Sequence, residues 1–305
     1  MRDKRVVLVS GVAGFWGAKV ATRLLNDVAL GKNQDLHVLG LDKEAPRHAI
    51  EGLDFIQADI RNPHLGELLQ QEQVDTVLHL AFRENVKHTE SDFDLNVMGT
   101  MKVLGACAES GVRKVILKSS MTVYGAYPTN PAFIEEDQEI QGSRKYGYNR
   151  HRMEIEAFCN GFRHQVPEMN LTILRFPSII GPQADTPMTR FLKQPTAPVL
   201  MGFDPRMQII HEKDVVKALV HAIEQDKPGV YNIAAEGVLT LRKIIGMAAK
   251  ISFPIFHLFA YWGQDIVNNI GVAGGVSFPI ELDFLRYSWV GDIEKMRKEY
   301  DILLS

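Results

Sequence analysis

Three groups of residues in this chain have the types and spacing to do chemistry. The first is Gly11, Gly14 and Gly17, which follow the apolar run from Arg5 to Ser10. Glycine at the first position allows a sharp turn off a strand. At the second it lets backbone N–H groups approach a pyrophosphate, and at the third it lets helix and strand pack closely. A diphosphate there meets unpaired N–H groups and the positive end of a helix dipole. The second is Asp42, which ends the next apolar run, His37 to Asp42. The third is a hydroxyl-bearing run, Ser119-Ser120-Met121-Thr122-Val123-Tyr124-Gly125, followed by Tyr146 with Arg150 four residues on. Oxidising a secondary alcohol needs a base for its proton, and a phenol with a pKa of about 10 is a poor one at neutral pH. A cation one helical turn further along favours the phenolate and lowers that pKa. The same spacing recurs at Tyr148 and Arg152, so either register sets an arginine after a tyrosine.

These groups need a scaffold that brings them together. Strand and helix patterns alternate through the first 175 residues. Strands are expected up to Ser10, up to Asp42, around 53–57, at 75–80, at 112–119 and at 170–175. Helices are expected from Ala18 to about Asn26, near 64–71, at 91–110 and at 144–164. Such alternation means a doubly wound parallel sheet with helices on both faces, an α/β fold with ligands beyond the carboxyl ends of the strands. Residues 177–208 are proline-rich and read as loops. A helix is expected at 213–225, a strand at 229–233, a helix at 241–250 and a last helix at 292–300. The expected division is a dinucleotide-binding domain, 1–178 with 207–235, and a smaller C-terminal substrate lobe, 179–206 with 236–305.

Composition narrows the classes. The 305 residues are 46% hydrophobic and 23% charged, which is ordinary for a globular protein with a large core. A net charge of -3 gives no basic footprint for nucleic acid. Cys107 and Cys159 form no CxxC and read as free thiols of a reducing, cytoplasmic setting. The apolar N-terminal run is too short for a signal peptide, and Ser252–Val276 is too broken by polar residues for a membrane span. No HExxH or Cys/His cluster occurs, so no metal is expected.

In order along the chain, these pieces resemble the extended short-chain dehydrogenase/reductase family, in its NAD-dependent epimerase/dehydratase branch. The resemblance rests on the glycine loop, Asp42, Ala58-Asp59-Ile60-Arg61, His79-Leu80-Ala81, Asn96-Val97-Met98-Gly99-Thr100, the Ser-Ser-x-x-Val-Tyr-Gly run and Tyr146-Gly147 with Glu154. It continues through Leu174-Arg175-Phe176-Pro177, Gly181-Pro182, Ile210-His211-x-x-Asp214 and Tyr231-Asn232-Ile233. It implies a Rossmann-type sheet, Tyr146 as acid/base, Ser120 orienting the substrate and Thr122 beside it. The cofactor site it implies comprises Gly11, Gly14, Phe15, Trp16, Gly17, Asp42, Asp59, Ile60, Leu80, Ala81, Asn96, Ser119, Tyr146, Arg150 and Phe176. The family expects lysine where Arg150 stands. Arginine keeps the charge but cannot give up a proton. The carboxylate of Asp42 accepts from ribose hydroxyls and repels a 2′-phosphate, which favours NAD over NADP.

The substrate side is less defined. Ser178 stands where sugar-nucleotide members carry an asparagine, and Arg206, Arg286 and Arg190 are candidates for a phosphate clamp. The apolar C-terminal stretch with Phe253, Phe256, Leu258, Phe259, Tyr261, Trp262, Phe278 and Trp289 fits either lobe core or a pocket for an apolar alcohol. Three readings stay open: a sugar-nucleotide epimerase or dehydrogenase working through NAD, a dehydrogenase/reductase of a lipid- or sterol-like alcohol or ketone, and a cofactor-sensing protein weakened by Arg150. Met121-Thr122 after Ser120, in place of the Asp-Glu pair of dehydratases, favours epimerase or dehydrogenase. The resemblance also implies a homodimer built on the helices at 91–110 and 144–164.

Overall fold

Seven apolar runs pair side by side into one parallel sheet. In this computed structural model the described residues are 5–32, 35–85, 88–257, 260, 281–300, 302 and 304. The elements are β1 (Arg5–Ser10), α1 (Phe15–Ala29), β2 (Leu36–Asp42), β3 (Asp54–Gln57), α2 (Leu65–Gln71), β4 (Val74–His79), α3 (Glu90–Phe93), α4 (Gly99–Ser110), β5 (Lys114–Ser120), α5 (Gly147–Gln165) and β6 (Asn170–Phe176). They continue as β7 (Ser178–Ile180), α6 (Pro187–Lys193), β8 (Thr196–Leu200), β9 (Arg206–Met207), β10 (Ile209–His211), α7 (Glu212–Glu224), β11 (Gly229–Asn232), β12 (Leu239–Thr240), α8 (Leu241–Met247) and β13 (Ile251–Ile255).

The sheet runs β11-β6-β5-β4-β1-β2-β3, with every pairing parallel. Its central strands are apolar on both faces because helices cover both. One core packs α1 and α7 on one face, through Val20, Leu24, Leu219 and Ile223. Another packs α2, α4 and α5 on the other, through Leu69, Leu104, Ile155 and Phe162. The strand order reverses at β1, which lies between β2 and β4, and such a switch point opens a crevice at the strands' carboxyl ends. The fold is the Rossmann-type α/β sheet expected from the alternation.

β5 carries the serines and is anchored at both ends. Lys114 is fully buried, and its Nζ donates to the carbonyls of Ile223 (2.9 Å) and Gln225 (2.8 Å) at the end of α7. Asp226 lies 2.6 Å from the same nitrogen. At the other end Ser119 Oγ donates to Glu156 Oε1 (2.5 Å), and Glu156 forms a buried ion pair with Arg175 (2.6 Å).

Three expectations need correction. The helix expected over 91–110 is interrupted by a wide π turn at Asp94–Met98. Asn96 is drawn into the interior there, and Thr100 Oγ1 donates to its carbonyl (2.5 Å), an intrusion of the kind that breaks a helical ladder. The proline-rich stretch is not only loop. Pro187 opens α6, where its missing N–H costs nothing, behind a Thr186/Thr189 capping box. β8 pairs with β13 in a two-stranded parallel ribbon whose Pro198 and Pro254 suit the edges of so narrow a sheet. The last helix is reduced to a π turn at Met296–Tyr300.

A third core, with Met121, Tyr124, Phe191, Leu241, Phe284 and Trp289, builds the C-terminal side. Trp289 is buried in it, but Phe253 and Phe256 are exposed. Leu258, Phe259, Tyr261, Trp262 and Phe278 lie outside the described residues. Among the described residues, no helix is long and apolar enough to cross a membrane.

Candidate functional site

The glycine loop has the shape a dinucleotide needs. Gly11 has φ +76°, and a Cβ there would lie 2.6 Å from Ala81 N. A Cβ on Gly17 would lie 2.2 Å from Gly11 O, so this glycine sets the helix-to-strand approach. A Cβ on Gly14 would meet only Gly11 O, at 3.2 Å, so its outer side is open. Asp42 Oδ2 accepts from Ala13 N (3.0 Å), which holds the carboxylate above the loop. Gly11, Gly14, Asp42, Asp59, Ile60, Leu80 and Ala81 line one groove of about 390 Å³, within the roughly 300–1,000 Å³ range of small-molecule sites. Lys43 and Arg47 line it too. The hydrogen bond from Arg61, despite partial burial, brings the Asp59 carboxyl down to about 2. These residues fit an adenosine diphosphate half with its ribose on Asp42. Phe15 borders a neighbouring groove beside His48, and Trp16 borders an inner pocket with Lys118.

A second cleft lies at the end of β5. Ser120 Oγ accepts from Thr122 N (3.2 Å) and from Thr122 Oγ1 (3.0 Å). Tyr148 and Arg152 reach the same cleft from the inner face of α5. Arg152 donates to Glu84 Oε1 (2.5 Å), and its guanidinium lies 4.8 Å from the Phe82 ring centre and 5.7 Å from that of Tyr148. Lys118 Nζ is 3.5 Å from Glu84 and 5.2 Å from the Trp16 ring centre. Burial alone would raise the Glu84 carboxyl, but Arg152 and Lys118 beside it bring it down to about 2. Burial lowers the Lys118 ammonium, partly offset by Glu84. Burial, then the nearby Glu281, pushes the Tyr148 phenol well up. Phe176, Pro177, Ile179, Met188, Phe284 and Trp289 form apolar walls, with Ser178 and Arg190 also lining the cleft.

The other sequence candidates lie elsewhere. Tyr146 is the half-buried residue preceding α5, its ring centre 6.1 Å from that of Tyr148. Arg150 Nε donates to Glu154 (3.0 Å). Neither lines the cleft that holds Ser120. Within α5 a helix turns roughly 100° per residue, so Arg150 and Arg152, two apart, point about 200° apart. Ser119 does line the cleft, and its hydroxyl donates to Glu156. Asn96 is fully buried and clamps the Arg83 backbone with bonds of 2.8 and 2.9 Å, shaping the loop after β4. Arg206 is exposed, and Arg286 lies over the Phe203 and Tyr287 rings, 4.9 Å from each. His79 bridges Ser10 (2.6 Å) and Thr100 (3.0 Å), and burial lowers it to about 4, so it is a neutral core histidine.

Sequence reasoning passed over Glu84, Lys118 and Glu281. Lys118 had a signal: a lysine directly after Val115-Ile116-Leu117 in a buried strand is unusual without a partner or a task. Glu84 and Glu281 lie in loops and had none.

A switch-point crevice with an open glycine loop, beside a cleft of hydroxyls and cations, defines a dinucleotide-binding Rossmann protein of the dehydrogenase type. Residues 7–234 match the model of the NAD dependent epimerase/dehydratase family. The chain belongs to that family. It is 31% identical over 299 residues to an uncharacterized protein of Mycobacterium tuberculosis, covering 97% of this chain and 79% of that one. It is 29% identical over 188 residues to UDP-glucose 4-epimerase of Pisum sativum, covering 57% of this chain and 52% of the relative. Among solved structures it is similar to UDP-glucuronic acid 4-epimerase of Bacillus cereus, in complex with a fluorinated substrate analogue and NAD. That likeness has a TM-score of 0.73 and 22% identity, over 97% of this chain and 93% of the other. UDP-glucose 4-epimerase of Thermotoga maritima with UDP-glucose gives a TM-score of 0.72 at 18% identity, over 98% and 94%. At these identities the structures establish the fold.

Proposed function

We propose that the protein is an NAD-dependent oxidoreductase or epimerase that oxidises a secondary alcohol of a nucleotide-linked sugar. The observation that carries this is the convergence of Ser120, Thr122, Tyr148 and Arg152 on one cleft, with the glycine loop and Asp42 in the adjoining groove. NAD, when bound, supplies the acceptor for the substrate's hydride. Gly11, Gly14 and Asp42 would hold its adenosine diphosphate, and Asp42 disfavours a 2′-phosphate. Ser120 and Thr122 orient the substrate hydroxyl, and Tyr148 exchanges its proton. Arg152 supplies the positive field that favours the phenolate, while Glu84 fixes its guanidinium. Tyr148 takes the acid/base role over Tyr146 because it is the tyrosine in the cleft with Ser120.

The Pisum sativum relative is a UDP-glucose 4-epimerase, and Arg190, which lines the cleft and pairs with Asp185 at 2.7 Å, would meet a phosphate by exchanging that partner. The free, buried Cys107 and Cys159 support a cytoplasmic setting. The adjoining helices α4 and α5 support a homodimer through that face, and light scattering would report its mass. The acidic net charge speaks against nucleic acid.

The test is direct. Purified protein is denatured and assayed for released NAD. Native protein is then given UDP-glucose, UDP-glucuronic acid and dTDP-glucose, and products are separated by chromatography. Epimerised or oxidised sugar, lost in Tyr148→Phe, supports the proposal. The apolar walls of the cleft favour a second reading, a dehydrogenase of an apolar alcohol or ketone. NADH turnover with hydrophobic ketones and none with the sugars would select it, and binding of NAD without any turnover would refute both.

A further inference from the structure

A carboxyl group from the C-terminal side sits behind the cleft tyrosine. Tyr148 Oη donates to Glu281 Oε1 at 3.1 Å, and both residues are buried. Glu281 immediately precedes the turn Leu282–Leu285, whose Phe284 lines the cleft. The hydrogen bond therefore joins the first turn of α5 to the wall of the substrate side. Nothing in the arrangement derived so far uses this carboxyl.

The arrangement leaves a proton unaccounted for. The cation four residues after Tyr148 is Arg152, and an arginine cannot pass a proton on. Tyr148 is buried, which disfavours a free phenolate. A base that must stay neutral can still work if it loses its own proton as it takes another.

We propose that Glu281 takes up the proton that Tyr148 gives up, so that Tyr148 relays rather than stores it. This rests on the function proposed above. In the oxidation direction the substrate O–H bond breaks and its proton joins Tyr148 Oη. The Tyr148 O–H bond breaks in the same motion, and that proton joins Glu281 Oε1. The substrate C–H bond breaks with its electron pair, which goes as hydride to oxidised nicotinamide, the co-reactant. The alcohol is oxidised, the nicotinamide reduced, and one proton rests on Glu281. The reverse sequence returns both. Glu281 acts through Tyr148 and is a positioning residue.

The surroundings suit the task. Burial raises the Glu281 carboxyl to about 8, against the pull of the Tyr148 hydrogen bond, with Asp283 adding to the rise. Among the described residues, the other groups coupled to this pair are Tyr146 just before α5, Arg152 on α5, and Tyr127 in the loop after β5. A carboxylate of this strength is better matched to a working pH near neutrality than a phenol raised above 10.

The test compares wild type, Glu281→Gln and Tyr148→Phe, with the three nucleotide sugars above as probes. The glutamine keeps an oxygen that accepts from Tyr148, so the fold is preserved. For wild type, kcat/KM in the oxidation direction should fall about tenfold per pH unit below about 8. In Glu281→Gln that limb should vanish, and the rate at pH 9 should drop by about 10²-fold. A readout independent of turnover is the melting temperature. In wild type it should fall between pH 4.5 and 8, because an unfolded glutamate ionises first, near the ordinary value of 4.5. Glu281→Gln should lack this fall. A glutamine variant with the wild-type pH–rate limb, beside a silent Tyr148→Phe, overturns the proton-acceptor role and leaves the proposed function standing. An active Tyr148→Phe, or no sugar turnover by wild type, overturns the function and this inference with it.

Discussion

Tyr148→Phe removes one oxygen from the cleft and leaves the ring in place. A positioned acid/base contributes roughly 10²–10⁴-fold to rate, so the barrier should rise by about 3–5 kcal/mol. The fold should be less affected. The variant loses the 3.1 Å hydrogen bond to Glu281 and leaves that buried carboxyl without this donor, a cost of about 1–3 kcal/mol. For a chain of this size that is a fall of several degrees in Tm. Tyr146→Phe should change turnover by no more than about twofold, since half-buried Tyr146 is not among the residues lining the cleft. The assay is epimerisation or oxidation of UDP-glucose and UDP-glucuronic acid, with NAD content and melting measured on the same samples. Loss of turnover in Tyr146→Phe, with turnover kept in Tyr148→Phe, refutes the placement of α5 on which the site rests.

Arg152→Lys should keep at least half of the wild-type turnover, because the charge beside Tyr148 survives; loss beyond about tenfold would show that the planar guanidinium on Glu84 is indispensable. Asp42→Ala should narrow the preference for NAD over NADP by about tenfold, measured as the ratio of dissociation constants, and an unchanged ratio would remove Asp42 from the ribose. Arg175→Met removes the ion-pair partner of buried Glu156 and should cost about 3–5 kcal/mol in urea unfolding; a change below about 1 kcal/mol would show that the pair does not hold β6 to α5.

The scaffold was legible because periodicity reports it. Buried parallel strands are apolar throughout, amphipathic helices lie between them, and glycines sit where close approach forbids a side chain. The face of α5 was legible too, but by another route than motif spacing. Tyr146, Arg150 and Glu154 spell one series at four-residue steps, and Tyr148, Arg152 and Glu156 spell a second. Only the second continues into Ile155, Cys159 and Phe162, the apolar stripe that must face the sheet. Extending that stripe backward selects Tyr148. Glu281 was not legible. Its partner lies 133 residues away, and no local pattern encodes a contact of that range.

Anchoring β5 at both ends has a consequence for how damage would show itself. Lys114 is six residues from Ser120, about 20 Å along an extended strand. It touches no ligand, yet it sets where the strand starts, and Ser119 with Glu156 sets where it stops. A strand clamped this way delivers the Ser120 hydroxyl with little freedom left to lose on binding, and an error of about 1 Å at such a group can cost about 10²-fold in rate. Lys114 therefore behaves as a remote part of the aiming mechanism. A lesion there would be felt as poorly aligned substrate before it was felt as an unfolded protein.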